Sequence, residues 1–372
     1  MNSQRKPDLW LFGVAIALLA IGVFMVFDAS YARAGQVKYT GGDSFFFMKR
    51  QIVFAVVGIG LMFLMMYIRY WKLRRLGLIL LLLSIIGLAL VFVPGLGVMA
   101  NGARRWIRIA GITIQPSEFA KLGLVMYLAA SLSKKQVEIR NWKIGIVPAL
   151  VPLALMGALI MAQPDMGTTI VLAAATLVMI YMSGARKRHL VLVILAGLIL
   201  GSMLIASSDY RRERILSFVN PFEDYYGGGY QVCQSLIALG SGGMFGVGLC
   251  EGREKLFYLP AEHTDFILAT LGEETGFIGA SVVALLFLMF SVRGFIIAHR
   301  TKDGFGKLLA GGLSALIGGQ ALLNMCVVTS SVPATGVPLP FISYGGSSLA
   351  LNLLCVGILL GISMYPNTVR DY

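Results

Sequence analysis

The sequence predicts an all-α polytopic membrane protein of about ten transmembrane helices, with both termini in the cytoplasm and one large extracellular loop between spans seven and eight. Three observations predict it. Hydrophobic residues make up 57% of the chain and charged residues only 13%, where soluble domains carry about 25% charged. The apolar residues fall into ten runs close to the ~20 residues a helical span needs, at 9–28, 51–69, 76–93, 116–133, 144–162, 168–184, 189–206, 265–292, 308–331 and 347–363. Lipid offers the backbone no hydrogen bonds, so such runs are helices. With the N-terminus inside, the cytoplasmic segments hold 18 of the 31 Lys and Arg residues but only the acids Asp8, Glu138, Asp303 and Asp371, which is the positive-inside pattern.

That placement accounts for the net charge of +13 without nucleic acid as a partner. The first apolar run is too long for a signal-peptide core, and no small-residue cleavage site follows it, so it reads as the first span. The chain reads as one membrane domain, 1–372, with no internal repeat. Three outer segments are long enough to build something: 29–50, 94–115 and 207–264. The last exceeds what a connector requires. It contains the glycine-rich run Gly240-Ser-Gly-Gly-Met-Phe-Gly-Val-Gly248, which reads either as a binding loop or as a re-entrant turn packed against helices. Of the four cysteines, Cys326 and Cys355 fall inside spans. Cys233 and Cys250 share the outer loop, and spacing leaves their pairing open. The three histidines are too far apart for a His-based metal site.

Asp265 is the leading candidate for chemistry, because an ionisable residue at a membrane boundary is costly and reads as functional by default. Thr264 reads as the N-cap of the following helix, with Asp265 in its first turn. Glu273 and Glu274 follow on that helix. Glu273 lies about 12 Å from Asp265 along the axis on nearly the same face, where it lines the same cavity or marks a helix break at Gly272 and Gly276. Glu118 and Lys121 are i,i+3 neighbours at the start of a span. They read as a packing salt bridge or as a lysine that receives phosphate, with Asp165 as a further partner for Lys121. Arg104, Arg105 and Arg108 in Asn101-Gly-Ala-Arg-Arg-Trp-Ile-Arg108 are interfacial anchors or bidentate pyrophosphate ligands, and Arg50 has the same two readings. The segment 329–348, with three prolines, cannot continue a helix and reads as cavity wall.

Together these segments resemble the SEDS family of bacterial cell-wall proteins (shape, elongation, division and sporulation) over nearly the whole chain. The resemblance rests on Asn101-Gly-Ala-Arg-Arg-Trp-Ile107, Gln115-Pro-Ser-Glu118 with Lys121, Gln163-Pro-Asp-Met-Gly167, Gly229-Tyr-Gln231, Leu259 to Phe266 and Pro338-Leu-Pro-Phe-Ile-Ser-Tyr-Gly-Gly-Ser347. It is closer to the division branch, FtsW, and its sporulation relative than to RodA. The resemblance implies a peptidoglycan glycosyltransferase that polymerises lipid II at the outer face of the bacterial cytoplasmic membrane. It implies as partners a class B penicillin-binding protein transpeptidase and other divisome or elongasome membrane proteins. It puts the essential outer-loop acid on Asp265 and the intramembrane charge cluster on Glu118, Lys121 and Asp165. With these, Arg50, Arg104, Arg105, His263, Glu273 and Ser343 form the expected substrate-binding set. A divalent cation, Mg2+ or Mn2+, is an expected helper for the leaving pyrophosphate, and no organic cofactor is expected. The other readings are a lipid II flippase and a non-catalytic scaffold for a penicillin-binding protein. Two departures stand out. The acid that usually follows the motif's Pro is displaced by one place, to Glu262, and Cys250 stands where the family usually has Gly.

Overall fold

The computed structural model describes residues 6–100, 103–109, 112–134, 138–207, 212, 214, 217–219, 221–223, 225, 227, 229–256 and 258–367. All ten apolar runs fold as helices. They are α1 (Leu9–Ala34), α3 (Phe46–Tyr67), α4 (Gly77–Leu90, continuing a 3-10 segment Tyr70–Leu76), α5 (Pro116–Lys134) and α6 (Val147–Ala162). They continue with α7 (Met166–Met182), α8 (Lys187–Ala206), α10 (Ile267–Arg300), α11 (Gly304–Val328) and α12 (Gly346–Ser363). The outer segments include the helices α2 (Val37–Thr40) and α9 (Tyr230–Gly242). Among the described residues, 8 helical segments are long and apolar enough to cross a membrane. Of the other two runs, α7 has only 17 residues and α5 carries Glu118 and Lys121.

The outer segments differ from their predicted form. Helix α1 runs on to Ala34 because Asp28, in its sixth turn, is buried against protein. The 29–50 segment therefore shrinks to a short link. In 94–115 the chain is not an anchor strip but a three-stranded antiparallel sheet of β1 (Gly97–Ala100), β2 (Ala103–Ile109) and β3 (Ile112–Ile114), in the order β1-β2-β3. Among the described residues the fold is thus helical with one small sheet. Asn101 and Gly102 lie outside the described residues, but Asn-Gly between strand-forming residues is a strong hairpin signal in sequence. In the register, Val98 pairs with Trp106 and Met99 with Arg104, so Arg105 is the extra residue of a β-bulge. Successive side chains of a strand point to opposite faces, and Arg105 is partly buried while Arg104 and Arg108 are exposed.

Packing follows small residues. The inward stripe of α3 is Gln51, Ala55, Gly58, Met62 and Met66, spaced for one helical face, and it lies on α12. The most enclosed spans are α5, α11 and α12, while α8 buries only His189. Helix α1 is tied to its neighbours at its start. Asp8 caps it by accepting from Leu11 N at 3.0 Å and pairs with Arg293 of α10.

Candidate active site

The turn 260–266 sits at the head of α10. Its backbone is gripped at three consecutive carbonyls. Tyr344 N donates to His263 O at 2.9 Å, Ser343 Oγ to Thr264 O at 2.6 Å, and Asn324 Nδ2 to Asp265 O at 2.7 Å. Asn324 also donates to Val337 O at 2.8 Å. The proline-containing segment and α11 therefore fix where Asp265 stands. The predicted cap is not formed. Helix α10 begins at Ile267, its N-cap position is Phe266 without a side-chain bond, and Thr264 Oγ1 turns back to Ala261 O at 3.2 Å. Asp265 thus precedes the helix, with its side chain free for other work.

The Asp265 carboxyl is half-buried. Burial pushes its pKa up to about 6. The charge of Asp165 adds to this, and Arg105, Arg214 and His263 oppose it. Arg105 is held by its far side: Nε donates to Gln163 O at 3.0 Å and Nη2 to Pro164 O. Its Nη1 is left facing Gly336. A Cβ placed on Gly336 would lie 3.7 Å from Arg105 Nη1 and 3.5 Å from Asp265 Oδ2. Acid and cation therefore flank one space instead of closing on each other. Arg214 Nη1 donates to Ala334 O at 2.6 Å, on the same segment. Sequence reasoning singled out neither Arg214 nor Asn324.

The expected set divides. Asp265, Arg105, Asp165 and His263 come together. Asp165 is nearly fully buried and caps α7, with Oδ1 accepting from Thr168 N at 3.1 Å and Oδ2 from Thr168 Oγ1 at 2.9 Å. It therefore acts on Asp265 through its charge and is not the partner of Lys121. Lys121 pairs with Glu118 at 2.8 Å and donates to Gln320 Oε1 at 2.5 Å, all three buried. Gln320 in turn donates to Pro338 O at 2.8 Å. These contacts are those of a packing salt bridge, and they hold the wall segment. Ser343 is also committed: Oγ donates to Thr264 O and accepts from Leu339 N at 2.8 Å, so it anchors backbone and presents no free hydroxyl proton. Arg104 is exposed beyond the bulge. Arg50 is exposed over the Phe46 ring, 4.9 Å from its centroid.

Glu273 does not line the space around Asp265. Its oxygens accept from Arg253 N at 2.7 Å and Glu254 N at 3.3 Å. Glu274 accepts from Cys250 N at 3.1 Å and Gly252 N at 3.3 Å, and from Lys255 Nζ, which also reaches Asp28 at 2.6 Å. The two glutamates anchor the 250–255 loop, and α10 breaks at Gly276 (φ 68°). Burial disfavours the Lys255 cation, but hydrogen bonds to Asp28 and Glu274 outweigh it and raise its pKa. Cys233 and Cys250 are both free thiols. Cys250 keeps the left-handed angle, φ 66°, at the position the family usually gives to Gly.

Residues 8–368 match the FtsW/RodA/SpoVE family, described as "Cell cycle protein". The chain belongs to this family. It is 45% identical to stage V sporulation protein E of Bacillus subtilis over 98% of this chain and 99% of that one. It is 44% identical to the probable peptidoglycan glycosyltransferase FtsW of Geobacter metallireducens, over 98% and 96%. Among solved structures, it superposes with TM-score 0.78 and 27% identity on a chain from a peptidoglycan synthase complex that coordinates polymerization and crosslinking, covering 97% of this chain and 99% of that one. The rod shape determining protein RodA of Thermus thermophilus gives TM-score 0.71 at 27% identity, over 99% and 100%. The division and sporulation branch is therefore nearer than RodA, as the NGARRWI segment suggested. The chain is an integral membrane protein.

Proposed function

We propose that the protein is a peptidoglycan glycosyltransferase that polymerises lipid II at the outer face of the cytoplasmic membrane. The observation that carries this reading is the half-buried Asp265 carboxyl, its pKa pushed up to about 6, facing Arg105 across the space over Gly336. A base with a pKa near the working pH is the kind that contributes ~10²–10⁴-fold to a rate.

Asp265 takes the proton from the GlcNAc 4-hydroxyl of one lipid-linked disaccharide. That oxygen forms a bond to the MurNAc anomeric carbon of another glycan. The anomeric bond to undecaprenyl pyrophosphate breaks, and the electron pair leaves with the pyrophosphate. One base opposite a charged leaving group inverts the α-linked donor to a β-linked product, whereas retaining enzymes use two close carboxylates. Arg105 and Arg214, each hydrogen-bonded to backbone carbonyl oxygen, receive the pyrophosphate charge in this reading. Among the described residues, no group of three His, Cys, Asp or Glu side chains is placed to hold a metal ion. A divalent cation would be carried by the substrate's own phosphate oxygens, where it would neutralise leaving-group charge.

The partner of this reading is a class B penicillin-binding protein transpeptidase within a divisome or elongasome assembly. The fold match to a chain from a peptidoglycan synthase complex supports it. The test is lipid II polymerisation by the purified protein with that partner, its transpeptidase blocked, comparing wild type with Asp265→Ala. Glycan chains from wild type and none from an equally well-folded mutant are expected. Equal chains from both remove Asp265 from the mechanism. An inactive wild type with partner and Mg2+ or Mn2+ present favours lipid II translocation or scaffolding instead.

A further inference from the structure

The glycine-rich turn after α9 answers the choice the sequence left open. Its backbone donors are already used: Gly246 N donates to Gly242 O at 2.7 Å, Val247 N to Glu273 O at 3.0 Å and Gly248 N to Glu274 O at 3.2 Å. No cluster of free N–H groups remains among these three to cradle a phosphate. The turn in exchange satisfies a broken helix. Where α10 departs from helical geometry at Gly276, Phe277 N donates to Gly243 O at 2.9 Å and Ile278 N to Met244 O at 3.3 Å. Only glycine fits the contact, since a Cβ on Gly246 would lie 2.0 Å from Glu274 O. Irregular backbone whose polar groups are satisfied within protein is the form tolerated at membrane depth.

The side chains point to the same environment. Between Gly240 and Cys250 there is no charged residue. Phe245 is 82% exposed, and Met244, Val247 and Leu249 are exposed beside it. Through the backbone pairing this patch continues into Phe277, 64% exposed, and Ile278 on the outward face of α10. The charged Glu251 and Arg253, both exposed, follow directly. Depth can be measured along α10. Arg293, paired with Asp8, lies about 26 Å from Gly276 along the helix and Arg300 about 36 Å, at 1.5 Å per residue. These values bracket the ~30 Å hydrocarbon core, so the kink and the turn fused to it fall at its outer boundary.

We infer that the 243–249 turn is a lipid-inserted wedge. Met244, Phe245, Val247 and Leu249 sit among the acyl chains of the outer leaflet, with Glu251 and Arg253 at headgroup level. The occupant is bulk bilayer lipid. An apolar wedge of this kind holds the outer loop, and the Glu273 and Glu274 anchors beneath it, at the membrane surface.

The test places a reporter in the turn. Phe245→Trp, with Leu249→Trp as a second variant should the first fail to fold, is reconstituted in phosphatidylcholine vesicles. The vesicles carry a nitroxide either near the headgroup or near the chain end. Emission is read as the difference from wild type, which has four tryptophans. The expected result is loss of the added emission to the shallow nitroxide, less to the deep one, and shielding from aqueous acrylamide. Quenching by acrylamide without quenching by either lipid overturns the inference. So does shielding from all three, which means the turn is covered by protein. The measurement is repeated with the partner transpeptidase bound. Loss of lipid quenching there assigns the patch to the partner and also overturns it.

Discussion

The Glu262 carboxylate lies 2.9 Å from Arg33 Nε, and the same oxygen lies 3.3 Å from Nδ1 of His263. Arg33 is in the last turn of α1, so this pair ties that helix end to the turn that carries Asp265. The displaced acid of the motif thus has a partner of its own. The two charges are unequally buried, with 28% of the Arg33 side chain exposed but only 1% of Glu262. Arg33→Gln strands a buried carboxylate and is expected to cost about 3 kcal/mol, the low end of the ~3–5 for breaking a buried pair. Glu262→Gln leaves the more exposed charge and costs less. The double variant is expected to be more stable than Arg33→Gln alone. Thermal melting in detergent measures all three, and strictly additive losses would show that the two side chains are not coupled.

In the proposed mechanism Asp265 sets the pH behaviour. Below about 6 its carboxyl holds a proton and cannot accept another, so polymerisation falls on the acid side with that midpoint and rises to a plateau above it. Two neighbours move the midpoint in opposite directions. Arg105 lowers the pKa, so Arg105→Gln shifts the acid limb to higher pH. Asp165 raises it, so Asp165→Asn shifts the limb to lower pH, and Asn remains a good cap for α7. Initial rates of glycan formation between pH 4.5 and 8 read both shifts. A limb that stays fixed in both variants rules out Asp265 as the titrating group.

The ten helices were legible in the sequence because lipid selects one simple property, about twenty apolar residues in a row. Asp265 stood out in the sequence for the opposite reason, as an acid where acids are costly. What was not legible depends on contacts between distant segments. Glu273 reads as a cavity acid until Arg253 N and Glu254 N are seen to occupy it. Backbone amides leave no mark in the sequence. Arg104 and Arg105 are chemically identical neighbours, and only their place in a β-strand, whose successive side chains face opposite ways, turns Arg105 towards Gln163 O. Asn101-Gly102 carried the hairpin signal, but the Trp and Arg residues around it also fit an interfacial anchor.

Cys250 gives a stability test that leaves the chemistry alone. Its φ of 66° is left-handed, a conformation that strains a residue with a Cβ by roughly 1–2 kcal/mol. Its N–H is used by Glu274, and glycine keeps that bond. Cys250→Gly is expected to stabilise the protein by about 1 kcal/mol, with part of the relieved strain offset by the greater freedom of glycine in the unfolded chain. A rise in melting temperature with unchanged polymerisation is the expected outcome. A fall would mean that the thiol contributes contacts worth more than the strain.

Lys121 separates a structural cation from a phosphate-binding one. Its ammonium lies between Glu118 at 2.8 Å and Gln320 Oε1 at 2.5 Å, with 4% of its side chain exposed. Lys121→Met removes one partner of a buried pair and strands Glu118, a change expected to cost ~3–5 kcal/mol. Replacing both, as Glu118→Leu with Lys121→Met, removes the stranded charge and recovers much of that loss. Gln320 then lacks its lysine but still holds Pro338 O, so the double variant keeps the wall segment and retains polymerisation with an unchanged KM for lipid II. A lysine that gripped substrate phosphate gives the reverse pattern. Melting would be little affected by Lys121→Met, and KM would rise in the single and double variants alike.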